Sequence, residues 1–447
     1  MTKEELKSKK ISAISLGCDK NRVDLEHMLF GLQEYGFEIT PEIEDAEVII
    51  VNTCAFIEPA IIEACENIAL AVSMKTEGKA EKVIVSGCLP MREKGTDLHA
   101  VFDGVDAFIT LNDNQNITNI LERLYDVKES EFEYDATGRI LTTAGGYAYL
   151  KIAEGCSNGC AYCTIPRIRG RFRSIPQKEL LKEAKRLVEM GYKEIILVAQ
   201  DTARYGEDLY GEPRLLELLE ELCKIKGLEW IRLQYIYPEW LDEKLLDFIV
   251  KNDKMCKYID MPLQHIDDTI LKNMNRKSGE EKCRGLVDLI SEKYPEIELR
   301  STFIVGFPGE TRKQFQKLCD FIAEDKIRFA SFFTYFREEK TKAYYMPKQV
   351  PKFIKNRRLK KVEEIQNINL NRHALSQIGT VQRVLVDEFD PSEKIFLSHS
   401  QKNSPNVDLC VIIEADNPNS VNVTTGDFVN VRIVDLHEKG FKGEVIL

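Results

Sequence analysis

The chain has 447 residues, 43% of them hydrophobic and 30% charged, with a net charge of −11 and 12 cysteines. These proportions exclude a disordered or fibrous chain, and the length allows about three domains with a sizeable core. The excess of 73 Asp and Glu over 62 Lys and Arg argues against a general nucleic-acid coat, while leaving room for a local basic patch.

The chain starts MTKEELKSKK, polar and without the apolar run of a secretory leader. The most apolar stretch, VIIVNTCAFIEPAIIEA, is interrupted by Asn52 and Glu58, short of the roughly 18 apolar residues of a membrane span. A cytoplasmic protein with no membrane partner is expected. In a reducing compartment its cysteines are buried thiols, catalytic thiols or metal ligands, and spacing has to choose among them.

In chain order, ISAISLG (11–17), EVIIVNT (47–53) and KVIVSG (82–87) read as strands, each followed by a helix or turn. That rhythm predicts an N-terminal doubly wound α/β domain over 1–130. The polar, acidic stretch at 125–142 reads as a linker. A second domain, 142–375, shows six strand candidates: YLKIAEG (149–155), EIILVAQ (194–200), WIRLQYIY (230–237), KYIDMPL (257–263), IELRSTFIVG (297–306) and FASFFTYF (329–336). Helical patterns separate most of them; one carries Leu180, Leu181, Ala184, Leu187 and Val188 on a single face and stops at Gly191. Six β/α units predict a partial barrel, short of eight, closed by a long helix over 351–377. From 376 to 447, β-branched runs separated by turns such as DNPNS and TTGD predict a small antiparallel β-barrel.

GCSNGCAYC places Cys156, Cys160 and Cys163 on one short loop after a strand, with Gly155 and Gly159 letting backbone pass close by. Three thiolates at this spacing can converge on a single metal centre. No histidine lies between His99 and His265 to complete a structural zinc site, whereas a [4Fe–4S] cluster can leave its fourth iron open to a small molecule. Incidental thiols, or zinc with a distant fourth ligand, are the alternatives. Cys18, Cys54 and Cys88 are far apart in sequence, yet each follows one of the three N-terminal strands (SLGC, VNTC, SGC). Carboxyl ends of parallel strands line one sheet edge, so three thiols there make a second candidate site; buried cysteines at strand ends are the alternative. Cys65, Cys223, Cys256, Cys283, Cys319 and Cys410 fall on apolar faces and read as core.

CSNGCAYC after a strand that opens a six-unit β/α domain resembles the radical S-adenosylmethionine superfamily. LGCDKN, NTCAF and GCL upstream, with a small β-barrel of the TRAM kind behind, resemble its methylthiotransferase branch. The resemblance spans essentially the whole chain. It implies two [4Fe–4S] clusters, a radical-generating one on Cys156, Cys160 and Cys163 and an auxiliary, sulfur-supplying one on Cys18, Cys54 and Cys88. It also implies two S-adenosylmethionine molecules per turnover, one as radical source and one as methyl donor. Tyr162 would contact adenine, Gln200 and Asp201 the amino group, and the turn GFPGET, with Gly306 and Glu310, would line the nucleoside.

Within that branch, YLKIAEGC, LVAQDTARYGEDLYGE, YIDMPLQHIDD followed by MNR, RSTFIVGFPGET and HSQKNSPNVDL, with Pro405 and Asp408 in matching places, are similar to the RimO type. The tRNA-modifying relatives typically carry Ser-Gly-Ser where this chain has His265, Ile266 and Asp267. The resemblance therefore implies methylthiolation of the β-carbon of an aspartate in small-subunit ribosomal protein S twelve, free or in the subunit, with a flavodoxin or ferredoxin as electron donor. Charge argues the same way independently. Residues 376–447 carry 11 Asp and Glu against 6 Lys and Arg, a net −5, which suits a basic protein better than tRNA. Two basic clusters cut the other way: Arg167, Arg169, Arg171 and Arg173, and seven Lys or Arg between Lys348 and Lys361. The second reads as a solvated helix face, and either could contact ribosomal RNA. The same chemistry on tRNA adenosine, and a non-catalytic iron–sulfur or zinc adaptor that binds the ribosome, are the rival functions. Asp19, Ile175 and Lys340 depart from the branch pattern, Lys340 standing where relatives usually carry glycine.

Overall fold

The computed structural model of the protein describes residues 1–417, 420 and 422–446; Pro418 and Asn419, in the DNPNS turn, lie outside them, as do Val421 and Leu447. The chain divides into two compact units. The first comprises Met1–Thr142, Glu154–Ser157 and Cys163–Arg173, and the second Thr143–Ala153, Asn158–Tyr162 and Ser174–Leu447.

The first unit is built on five parallel strands, β1 (Lys10–Ser15), β2 (Glu38–Ile39), β3 (Val48–Thr53), β4 (Lys82–Gly87) and β5 (Ala107–Phe108), in the order β2-β1-β3-β4-β5. β3 is buried along its whole length, as the VIIV run requires of a strand covered on both faces. Helices Asp19–Tyr35 and Ile117–Leu124 pack on one face with Ile11, Ile50 and Ile84. Helix Glu58–Glu77 covers the other through Ala64, Ile68 and Ala71. The strand order reverses at β1/β3, and crevices at such switch points, beyond the carboxyl ends of the strands, are where open α/β sheets bind ligands. The expected linker is a packed segment instead. Residues 125–142 form no helix or strand, yet Arg139 is 5% exposed and paired with the buried Glu26. Phe132 packs edge-on to Tyr35, and a Cβ on Gly138 would lie 2.0 Å from the ring of Phe30. Arg139 and Thr142 turn inward to Glu26 on helix Asp19–Tyr35, while Asp126, Lys128, Glu129, Glu131 and Glu133 stay exposed.

A two-residue ribbon, β7 (Ala153–Glu154) with β8 (Arg173–Ser174), brackets the cysteine loop after β6 (Tyr147–Lys151). In the second unit β6 is followed by β9 (Glu194–Val198), β10 (Trp230–Leu233), β11 (Met255–Asp260), β12 (Glu298–Val305) and β13 (Phe329–Thr334). Each pairs in parallel with the strand before it, giving one six-stranded sheet in sequential order. Sequential order is what a β/α barrel produces, so the six predicted strands are all present. The predicted helix stops at Met190 with Gly191 left-handed at φ +99°, the usual use of glycine past a helix end. The closing helix is Lys352–Gln377. It is not merely a solvated basic face: Lys355 donates to the Tyr335 carbonyl and Arg358 pairs with the buried Glu310.

The C-terminal barrel closes through β14 (Val381–Asp390), β15 (Ile395–Ser400), β16 (Cys410–Glu414), β17 (Phe428–His437) and β18 (Gly440–Val445). It belongs to the same compact unit as the six-stranded sheet. Four of its ladders are antiparallel, and β16 with β18 is parallel. A ring of five strands cannot alternate direction all the way round, so one parallel pair is a condition of closure. The barrel packs on the amino-terminal starts of the central strands. Buried His399 bonds both Glu194 at 2.5 Å and Asp387 at 2.7 Å, and Arg232 reaches Glu194 and the Ser400 carbonyl. The HSQKNSPNVDL loop is used up inside this contact: Asp408 accepts from Arg300 at 2.5 Å and Tyr258 at 2.8 Å, and Ser404 from Gln234. Gln234 lies just past the carboxyl end of β10, the end of the strands at which β/α barrels do their chemistry.

Candidate functional site

At the carboxyl edge of the first unit's sheet, Cys18 follows β1 by way of Gly17, Cys54 directly follows β3, and Cys88 directly follows β4. Each position has a local cause. Cys18 occupies the N-cap position of helix Asp19–Tyr35 without a side-chain cap, and Asp19 in its first turn places a negative side chain at the positive end of the helix, where relatives often carry proline. Gly17 and Gly87 both adopt φ +88°; a Cβ on Gly17 would lie 2.6 Å from Cβ of Cys54, and one on Gly87 2.4 Å from the Thr53 carbonyl oxygen. Only glycine lets these turns approach so closely.

Hydrogen bonds lock the three strand ends together. Asn21, 1% exposed, donates from Nδ2 to the Leu16 carbonyl at 2.7 Å and to those of Thr53 and Asn52 at 3.3 and 3.4 Å. Asn52 donates back to the Asn21 carbonyl at 2.8 Å and accepts from Ser86. Thr53 Oγ1 donates to the Ser86 carbonyl at 2.6 Å and accepts from the Leu89 amide. The thiols share one electrostatic environment: burial pushes Cys88 up to about 12, with Arg169 pulling the other way and Cys18 and Cys54 adding to the rise. Burial likewise raises Cys54, with Cys18 adding to it.

The spacing of the second trio groups it on one loop, whose residues belong to both compact units. In the first unit, the Cys156 amide donates to the Gly170 carbonyl at 3.1 Å, the Ile165 amide to Cys163 Sγ at 3.4 Å, and the Phe172 amide to Ser157. A Cβ on Gly155 would meet the Arg171 carbonyl oxygen at 2.3 Å, which accounts for that glycine. In the second unit, residues 158–162 are pinned by the Ala161 amide to the Met274 carbonyl and by Asn275 Nδ2 to the Gly159 carbonyl. Arg276 lies over the Tyr237 ring at 4.2 Å, and both approach Cys160 Sγ, at 3.9 and 4.0 Å.

Gln200 and Asp201 sit just past the carboxyl end of β9. Asp201 is fully buried; its Oδ2 accepts from Asn158 at 2.9 Å, while its Oδ1 and Gln200 Oε1 are buried without a donor. Burial pushes Asp201 up to about 6 despite that bond. Two orphaned acceptors at the end of a central strand fit an incoming amino group. Tyr162 packs in an apolar cluster with Phe307, edge-on at 6.5 Å. Gly306 is left-handed, and a Cβ there would strike Lys355 at 2.4 Å. Glu310 turns back to accept from the Gly306 and Phe307 amides and from Arg358. Its carboxylate is thus engaged in shaping the turn.

Sequence reasoning passed over Asn158, Tyr237 and Arg276, whose partners lie tens of residues away, and misjudged Arg169. Arg167, Arg171 and Arg173 are exposed, but Arg169 is 2% exposed and ion-paired with Asp24 and Glu154 at 3.0 Å. It is no surface contact for RNA. Among the described residues no three His, Cys, Asp or Glu side chains converge on a single ion. A four-iron cluster has a different requirement, since each thiolate binds its own iron.

Three family models match the chain: the radical SAM superfamily over residues 150–322, the uncharacterized protein family UPF0004 over 10–110, and the TRAM domain over 378–446. The radical S-adenosylmethionine methyltransferase TsrM from Kitasatospora setae shares the fold, with a TM-score of 0.56 at 13% identity, covering 75% of this chain and 74% of that one. Fold and site thus define a radical SAM protein with a TRAM barrel. Two relatives named "Ribosomal protein uS12 methylthiotransferase RimO" are similar along their whole length. That of Elusimicrobium minutum is 41% identical over 98% of this chain and 100% of its own, and that of Thermoanaerobacter sp. 40% identical over the same shares. The chain belongs to the RimO family of ribosomal protein uS12 methylthiotransferases.

Proposed function

We propose that the protein is a radical SAM methylthiotransferase that replaces a hydrogen on the β-carbon of an aspartate of ribosomal protein uS12 with a methylthio group. The observation that carries this reading is the presence in one chain of two cysteine trios, one on a loop after β6 and one on three parallel strand ends. Cys156, Cys160 and Cys163 would hold one [4Fe–4S] cluster, and Cys18, Cys54 and Cys88 the other. When bound, the first supplies the electron that cleaves S-adenosylmethionine to a 5′-deoxyadenosyl radical, and the second delivers sulfur.

The chain's own residues select and hold. Asp201 and Gln200 offer their buried oxygens to the amino group, with Asn158 fixing the Asp201 carboxylate. Tyr162, braced by Phe307, offers a ring to the adenine. Glu310 and Arg358 hold the Gly306 turn closed beside it. An unactivated β-carbon yields no useful proton, so no side chain has to act as a general base. The −5 charge of residues 376–447 favours a basic protein over tRNA, and a flavodoxin or ferredoxin would donate electrons in the cytoplasm.

Anaerobic reconstitution tests this. About eight irons per chain, as two four-iron clusters require, and dithionite-dependent release of 5′-deoxyadenosine are expected. Bound zinc without cleavage would favour a non-catalytic adaptor.

A further inference from the structure

Arg169 lies six residues beyond the last cysteine of the loop but is spent inside the first unit. Its Nη2 donates to Asn21 Oδ1 at 3.1 Å, while Nη1 donates to Asp24 at 3.0 Å and to both Glu154 oxygens at 3.0 and 3.1 Å. Asn21 has no freedom left, because its amide donors are committed to the carbonyls of Leu16, Asn52 and Thr53. Leu16 lies two residues before Cys18, and Thr53 immediately precedes Cys54. The guanidinium therefore fixes which way the Asn21 amide faces: its oxygen must meet a donor, so its nitrogen must meet the strand ends. Lysine cannot replace the fork, since one ammonium does not span three acceptors in fixed planar directions.

We propose that Arg169 is a positioning residue for the auxiliary cysteine site, acting through Asn21 to hold the strand ends that present Cys18 and Cys54. The inference rests on the reading that Cys18, Cys54 and Cys88 bind a cluster. It gives the arginine-rich segment after the loop a second role, in which the loop's outgoing turn, through Arg169, completes the support of the other trio. Glu154, on the incoming side of the loop, balances its charge together with Asp24.

The test uses the full chain carrying C156A, C160A and C163A, so that only the auxiliary site can load. This parent, reconstituted anaerobically, is expected to hold about four irons, one cubane's worth. In R169K on that background we expect iron to pass to a chelator about 10–100-fold faster, as for loss of an outer hydrogen-bond partner of a metal site, with an altered EPR signal of the reduced cluster and an unchanged circular dichroism spectrum. N21D leaves Arg169 in place, replaces the amide donors with a carboxylate oxygen and adds a negative charge that Arg169 faces. It should show the same two changes and serves if R169K does not fold. Parent-like chelator kinetics and EPR in either folded variant overturn the proposal. If both variants fail to fold with the clusters absent, Arg169 and Asn21 hold the fold and not the site, which also overturns it. A parent that binds no iron contradicts the auxiliary-cluster reading itself, and the proposal falls with it.

Discussion

The two cysteine trios are grouped by opposite means. Cys156, Cys160 and Cys163 are neighbours in sequence, and a single loop with left-handed glycines at 155 and 159 groups them. Cys18, Cys54 and Cys88 span some seventy residues and come to one sheet edge only because three parallel strands end in register, tied by Asn21, Asn52, Thr53 and Ser86. The local site is grouped by its own loop, with Met274, Asn275, Arg276 and Tyr237 bracing it. The dispersed one depends on the sheet, its glycine turns and its buried amides, so it should be the more easily lost.

The largest expected effect separates the two sites by function. C160A should abolish 5′-deoxyadenosine formation, whereas C54A should retain cleavage and yield no methylthiolated product; loss of both activities in C54A would mean a folding defect. Product analysis by liquid chromatography distinguishes these.

The next compares glycines. G87A puts a Cβ 2.4 Å from a carbonyl oxygen at φ +88°, so strain and overlap together should cost about 3 kcal/mol or more in urea unfolding. G159A meets only Asn275 Nδ2 at 3.6 Å and should cost about 1 kcal/mol, the left-handed penalty alone. Equal costs would remove the distinction between a sheet-built and a loop-built site.

A third prediction concerns the charge contact that seats the C-terminal barrel. Burial opposes charge on His399, but Asp387 and Glu194 outweigh it and hold the imidazolium up at about 9, against roughly 6.5 for a free histidine. A raised pKa stabilises the fold fully below about pH 6.5, and that stability is lost as the pH climbs through 9; at about 1.4 kcal/mol per unit it is about 3 kcal/mol. The melting temperature should therefore fall between pH 7 and 9.5, and H399Q should flatten that slope. An unchanged slope would show that His399 does not carry the contact.

The smallest effect belongs to the small-molecule side. D201N keeps the shape and removes the charge, and should weaken S-adenosylmethionine binding about tenfold, near 1.4 kcal/mol for one charged hydrogen bond. Calorimetry on the reconstituted protein measures it, and unaltered affinity would take Asp201 out of the site.

What could be read from the sequence follows the same division. The loop trio was legible from spacing alone, and the dispersed trio only because SLGC, VNTC and SGC each end an obvious strand. Lys340, left-handed at φ +62°, marks a glycine-like position that its sequence context already flagged. Arg169 was not legible, for it is one of four alternating arginines and its partners Asn21 and Asp24 lie 148 and 145 residues away. The 125–142 strap reads as a linker because most of its charges are exposed; the few groups that pack it, Arg139 on Glu26 and Phe132 on Tyr35, do not stand out in composition. The parallel pair in the five-stranded barrel follows from strand parity, which alternation within single strands cannot reveal.

The central claim is the substrate, and mass spectrometry of ribosomal proteins and tRNA nucleosides from cells with and without the gene tests it most directly. The account predicts a uS12 aspartate peptide heavier by one methylthio group in place of hydrogen, present only when the gene is intact. A gene-dependent methylthio group on tRNA adenosine, with uS12 unmodified, would contradict it.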